Sequence, residues 1–193
     1  MENTQGKLLE ASAELFAESG FEGVSMRQIA RAADITQAAI YHHFPAKFDL
    51  YIAAIRHVYA GRTEALVSQV SRETDPEKQL ALLVRSLLDV FDEQPQFRRI
   101  YFRELLAGDR KRLQMMTGNV LPDIRRLMDT LMPELAPSMD SHLMVLSLCG
   151  LLFHHLEARK MSEVMHDGRP AHQDLDTLAD HITTLLLRGV NRP

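Results

Sequence analysis

The sequence predicts an all-α protein of about nine helices, three leading and six following. Three observations carry that reading. Apolar residues recur at three- and four-residue intervals along most of the 193 residues. No stretch alternates polar and apolar residues as a half-buried strand does. Gly20, Pro45, Pro95 and Gly108 fall where apolar stripes end, as helix-terminating residues should.

Taken in order, Leu8, Ala11, Leu15 and Phe16 form the first stripe, closed by Gly20. Ser25 with Gln28 three residues on is a capping box and opens a second helix, in which Ile29, Ala30 and Ala33 make a narrow apolar edge. Thr36 is an N-cap for a third helix. Ile40 and Phe44 face inward there, leaving Gln37, Ala38, Tyr41 and His42 outward. Pro45 disfavours helical geometry at Phe44 and stops it. Helices under roughly 12–15 residues are marginal alone, so the first helix must back the other two. The product is a helix-turn-helix unit whose last helix presents a polar face.

Over about residues 5–52 these features resemble the TetR family of transcriptional repressors. The stretch LFAESGFEGVSMRQIARAADITQAAIYHHFPAKFDLY carries the Gly-Phe turn, the Ile-Ala helix, the Ile-Tyr-x-x-Phe helix and the Lys that follows. The resemblance implies DNA contacts from Thr36, Gln37, Ala38, Tyr41 and His42, with Ser25, Arg27 and Lys47 on phosphates. The family often has a basic residue, Gly and Thr where this chain has Gln37, Ala38 and Ala39. Gln37 therefore becomes the main candidate for base readout. A Gln pairs bidentately with adenine, giving about 1–3 kcal/mol of discrimination.

Beyond Pro45 a long helix is expected through Leu50, Ile55 and Val58 toward Val70. Thr74-Asp75-Pro76-Glu77 starts the next, with Asp as cap and Pro in the first turn, and Leu80 to Phe91 keep helical spacing. A shorter helix runs from Phe97 to Leu106. Another spans Asp109 to Met132, kinked or broken around Gly118, Asn119 and Pro122. Pro133 and Pro137 are expected to bound a loop, with Ser138 as the following cap. His142 to Lys160 is apolar nearly all round, which predicts burial on more than one side. A loop at Asp167-Gly168-Arg169-Pro170 leads to a last amphipathic helix carrying Leu175, Leu178, Ala179, Ile182, Leu185 and Leu186. The expected division is a DNA-binding domain over residues 1–48 and an effector-binding and dimerisation domain over residues 49–193.

Periodicity leaves the role of the last two helices open. They suit either the monomer's own core or a four-helix interface with a second copy. The resemblance implies the homodimer, which would set two recognition helices about 34–36 Å apart, or a multiple, on a palindromic operator of double-stranded DNA. It also implies an effector cavity in the larger domain. The expected lining is Phe91, Tyr101, Phe102, Leu105, Met115, Met128, Phe153 and His154, walls suited to an apolar or amphipathic small molecule. Eight of the ten methionines follow residue 110. They suit such a cavity or fill gaps in an ordinary core.

The net charge of −4 argues mildly against nucleic acid, and the first 60 residues hold more carboxylates than cations. Distribution answers this: Glu10, Glu14 and Glu18 share one face of the first helix, while Arg27, His42 and Lys47 gather near the turn. A soluble cytoplasmic protein is expected. No stretch has a signal-peptide layout, the longest apolar run, Leu143 to Phe153, falls short of the roughly 18 residues a membrane span needs, and a single cysteine excludes an intrachain disulfide. Cys149, with no flanking cation, reads as a buried inert thiol. Arg98, Arg99, Arg103, Arg110, Lys111 and Arg112 read as a solvated basic face, with contact to DNA backbone or an acidic headgroup as the other reading.

Glu163-Val164-Met165-His166 is half of a di-iron ligand set, but the chain holds one such tetrapeptide. Neither a glycine-rich phosphate loop nor a nucleophile elbow is present. No enzyme, catalytic residue, cofactor or metal is expected. The function read from the sequence is a ligand-responsive repressor released from DNA by its effector. Two alternatives stand beside it: an all-helical metalloprotein or oxidase, and a helix-turn-helix regulator without a small-molecule effector.

Overall fold

The computed structural model describes residues 2–59, 62–119 and 122–190. In chain order the helices are α1 (Glu2–Gly23), α2 (Met26–Ala32), α3 (Gln37–His43), α4 (Lys47–Tyr59), α5 (Arg62–Val70), α6 (Pro76–Asp92), α7 (Pro95–Ala107), α8 (Arg110–Asn119), α9 (Pro122–Leu135), α10 (Ser141–Val164), a 3-10 turn (Pro170–Gln173) and α11 (Leu175–Val190). No strand occurs among the described residues. The all-α reading holds. Eleven α-helices are given among the described residues against about nine expected, with α4 and α5 where one long helix was read and α8 and α9 where one kinked or broken helix was read. Both junctions, at residues 60–61 and 120–121, lie outside the described residues, and so do the continuity of the first pair and the break in the second.

The chain forms two compact units. The first joins residues 1–60 to residues 94–120, and the second joins residues 61–93 to residues 121–193. The expected division at residue 48 does not anticipate α7 and α8 packing with the leading helices.

In the first unit, α1 departs from helical geometry at Gly20, with φ 71° and ψ 170°, a left-handed φ that glycine adopts without a Cβ penalty. Its buried face is Leu8, Leu9, Ser12, Ala13, Phe16 and Ala17, while Ala11 and Leu15 are only half-buried. The stripe is rotated and wider than the one expected because α1 packs against α2, α4 and α7 together. Ser12 is tolerated in that face because its Oγ donates to the Leu8 carbonyl at 2.6 Å.

In the second unit α6 is central, packing against α5, α9, α10 and α11. Asp75 caps it by accepting the Glu77 and Lys78 backbone N–H groups, and Leu80, Leu83, Val84, Leu87, Leu88 and Phe91 are fully buried. Two boundaries differ from expectation. Pro133 lies inside the last turn of α9, where it removes a single hydrogen bond, and the helix runs on to Leu135. Asp140, not Ser138, caps α10, accepting the Leu143 N–H at 2.9 Å. α10 buries Met144, Val145, Leu148, Cys149, Leu152, Phe153 and Leu156 on one side. Its other side exposes Leu143 and Leu146 in the single chain. Burial pushes the Cys149 thiol up to about 12, so it is inert at neutral pH. No described helix is long and apolar enough to cross a membrane.

Candidate nucleic-acid interface

α2 and α3 have seven residues each, and their ends are fixed by side chains. Ser25 Oγ accepts the Gln28 N–H at 3.3 Å, and Gln28 Oε1 accepts the Ser25 N–H at 2.8 Å. Thr36 Oγ1 accepts the Ala39 N–H at 3.1 Å. Between the two helices Asp34 takes a left-handed φ of 53°, a conformation Asp and Asn tolerate better than other side chains. The Ile35 N–H closes the turn on the Ala30 carbonyl at 3.0 Å. One side chain anchors α3: Ile40 is 0% exposed. Phe44, its C-cap, is buried behind it.

That anchorage leaves Gln37, Ala38, Ala39, Tyr41, His42 and His43 exposed on a helix held at both ends. Thr36 and Ser25 are also exposed, although each hydroxyl already serves a helix cap. Arg27 is exposed on α2. His43, which the sequence reading did not single out, is exposed beside His42. The two imidazoles meet edge to face at 5.0 Å.

Lys47 is placed differently from a free phosphate ligand. Its Nζ donates to the carbonyls of Phe21 at 2.8 Å and Val24 at 3.0 Å and sits over the Phe21 ring. Two of its three donors therefore satisfy the C-terminal end of α1.

The basic run in α7 and α8 is solvated as expected at Arg99, Arg103, Arg110 and Lys111, and two of its members are not. Arg98 and Arg112 are buried. Arg112 donates to Glu104 Oε2 at 2.6 Å and to Glu22 at 3.1 Å, while the Tyr51 hydroxyl donates to Glu104 Oε1 at 2.6 Å. Burial, reinforced by Glu104, pushes the Tyr51 hydroxyl well above its usual range, so it remains a donor. Arg103 donates to the carbonyls of Ala17, at 2.8 Å, and Glu18. Lys111 lies 4.1 Å from the Phe48 ring centroid. Arg103 and Arg112 thus bond α7 and α8 to α1, and Lys111 meets α4.

The eight residues expected to line an effector cavity are divided between the two units. Tyr101, Phe102, Leu105 and Met115 belong to the first unit, and Phe91, Met128, Phe153 and His154 to the second. Phe91 and Phe153 do meet, ring to ring at 4.6 Å and fully buried. Leu105 is exposed, and so is His154. In the half metal motif, α10 ends at Val164, so Glu163 and His166 do not share a helical face.

A capped two-helix turn with its second helix exposed, backed by a third, defines a helix-turn-helix DNA-binding regulator. Residues 8–54 match the model of bacterial regulatory proteins of the tetR family, and residues 76–190 match that of the C-terminal domain of the HTH-type transcriptional dual regulator CecR. The chain belongs to the TetR family of transcriptional regulators. It is 25% identical to the HTH-type transcriptional repressor NicS of Pseudomonas putida, over 99% of this chain and 94% of that protein. Two solved structures share its fold. One is the transcriptional regulator FadR from Bacillus subtilis in complex with stearoyl-CoA, with a TM-score of 0.76 and 18% identity over 96% of this chain and 98% of that one. The other is the fatty acid degradation regulator FadR from Bacillus halodurans, with a TM-score of 0.75 and 22% identity over 98% and 97%.

Proposed function

We propose that this regulator is a homodimeric repressor that grips a palindromic operator with α3 and lets go when a small apolar or amphipathic effector binds. The observation that carries the DNA half is the exposure of Gln37, Ala38, Tyr41 and His42 on a helix pinned by the fully buried Ile40. Gln37 reads a base edge, Thr36, Tyr41 and His42 contact DNA beside it, and Ser25 and Arg27 take phosphates. Lys47 contributes with its one remaining donor.

Support for the dimer comes from the second unit. Leu143 at 61%, Leu146 at 47% and Leu185 at 49% exposure leave apolar surface on α10 and α11. Gly150, exposed on α10, leaves room for close helix approach. A second copy would cover that surface by two-fold symmetry. Residues 1–48 then serve DNA, and residues 49–193 serve dimerisation and the effector. Support for the repressor assignment is the likeness to NicS along the whole chain. Support for an amphipathic effector is the shared fold with a regulator solved with stearoyl-CoA. The effector acts by differential affinity, favouring a spacing of the paired α3 helices that misfits the operator.

Selection of binding sites from random double-stranded DNA, repeated with apolar and amphipathic ligands present, tests this reading. A two-fold symmetric consensus that weakens with one ligand class is the expected result. Enrichment of no sequence overturns it.

A further inference from the structure

Gly150 and His154 in α10, and His181 and Leu185 in α11, are spaced four residues apart, which returns to nearly the same side of a helix. The outward surface that carries Leu143, Gly150 and Leu185 therefore runs on into His154 and His181, both exposed in the single chain. His155, half-buried, meets both rings: its centroid is 6.1 Å from that of His154 and 5.4 Å from that of His181. His172 of the 3-10 turn lines the same hollow, so four of the chain's nine histidines share this one surface. Its charge is accordingly set by pH across the range where imidazoles titrate.

The carboxylates around this cluster are largely engaged elsewhere. Asp92 of α6 is paired with Arg159 of α10, and Arg85 of α6 holds Asp89 on its own helix and Asp176 of α11. Asp174 accepts the backbone N–H and the hydroxyl of Thr177. At the far end of α10, Arg125 and Asp129 of α9 bond His142 and Ser141. Glu157 and Asp180 are exposed on the two helices, but neither is among the described lining of the hollow, and Glu157 is not free. Arg188 of α11 joins His181 in an adjoining hollow. Within the chain, burial and then His181 and His154 hold His155 below the ordinary imidazole range.

Resting on the homodimer proposed above, we infer that acid parts the two copies: the imidazoles of His154, His155 and His181 lie uncharged within the two-fold interface and take up protons as the copies separate. A two-fold interface repeats each of these rings, so every charge gained is gained on both sides. Covering a half-buried ring also strips it of the water that would stabilise its charged form. Association therefore lowers the affinity of the rings for protons. Such a group favours the dimer above its free value, near about pH 6.5, and that contribution is lost as pH falls through this value. An operator gripped by two α3 helices at once is then released by acid with no effector present.

Fluorescence-detected sedimentation of the dye-labelled full chain, diluted in EDTA at about pH 8 and about pH 5.5, tests this without DNA. The dissociation constant of the dimer should rise about tenfold or more at the lower pH, which is about half a pK unit per protomer. Where dilution parts the copies at neither pH, exchange between donor- and acceptor-labelled chains takes its place and should quicken in acid by a similar factor. His155→Gln with His181→Gln should flatten the dependence, while His57→Gln, in the first unit, should leave it as in the wild type. If the double variant loses helicity by circular dichroism, His154→Gln decides: its ring is exposed, and an undiminished pH dependence is then the contrary result. A dimer of equal affinity at both pH values, one that tightens in acid, or one that parts only as helicity is lost overturns this inference and leaves the homodimer standing. A chain that is monomeric at the higher pH overturns both.

Discussion

α3 and α10 use their residues in opposite ways. α3 has seven residues and buries one of them, Ile40. α10 has 24, buries seven, and still leaves Leu143 and Leu146 uncovered. The short helix cannot stabilise itself by area, so its position depends on Thr36, the Asp34 turn and the helices behind it. The long helix has apolar surface to spare, and the surplus faces outward. In this chain the surface proposed for DNA is short, polar and held by others. The surface suited to a second copy is long, apolar and self-supporting. That contrast has a consequence for substitutions: the reading head should fail through a few named contacts, whereas the second unit should give way by degrees.

The largest effect is expected from Glu104→Ala. It leaves the Arg112 guanidinium and the Tyr51 hydroxyl buried without their shared partner, and breaking a buried pair from one side costs about 3–5 kcal/mol. Urea unfolding measures it, and a loss within the noise of the transition would show that these bonds do not hold α4 and α8 to α7. Ile40→Ala comes next. Truncating a fully buried Ile costs about 2–5 kcal/mol, and DNA affinity should fall alike for every sequence because α3 loses its anchor. A variant that binds DNA at wild-type strength would mean α3 is positioned by something other than Ile40.

Lys47→Ala should be smaller. Its two bonds to the end of α1 are charge-assisted, a class of contact that contributes about 1.5–3 kcal/mol in total stability. The slope of log affinity against log salt should change by less than the roughly one unit of a full phosphate contact. A full unit would mean that the ammonium leaves its carbonyls for DNA. Thr36→Ala sharpens the comparison at the low end. Loss of this cap should cost about 0.5–2 kcal/mol, read from the thermal transition, and relax DNA binding only in proportion.

The same contrast explains what could be read in the sequence. α2 and α3 were legible because their boundaries are local signals: Ser25 with Gln28, Thr36, and Phe44 before Pro45. Asp75-Pro76 marked the start of α6 in the same way. Glu104 was not legible, because Tyr51 lies 53 residues away and no spacing rule joins them. For that reason Arg112 read as a solvated charge when it is buried. Leu9 and Ala13 were passed over in favour of Ala11 and Leu15, since one stripe cannot show that three helices pack against α1. Nor does apolar spacing say which unit a buried face belongs to, and the expected effector residues fall in both.

The central claim is that α3 is pressed against base edges. Site selection from random DNA with the wild type and with Gln37→Ala tests it most directly. The account expects the variant to keep its operator but lose about 1–3 kcal/mol of discrimination at one position of each half-site, with the other positions unchanged. An identical consensus for both proteins, position by position, would contradict it.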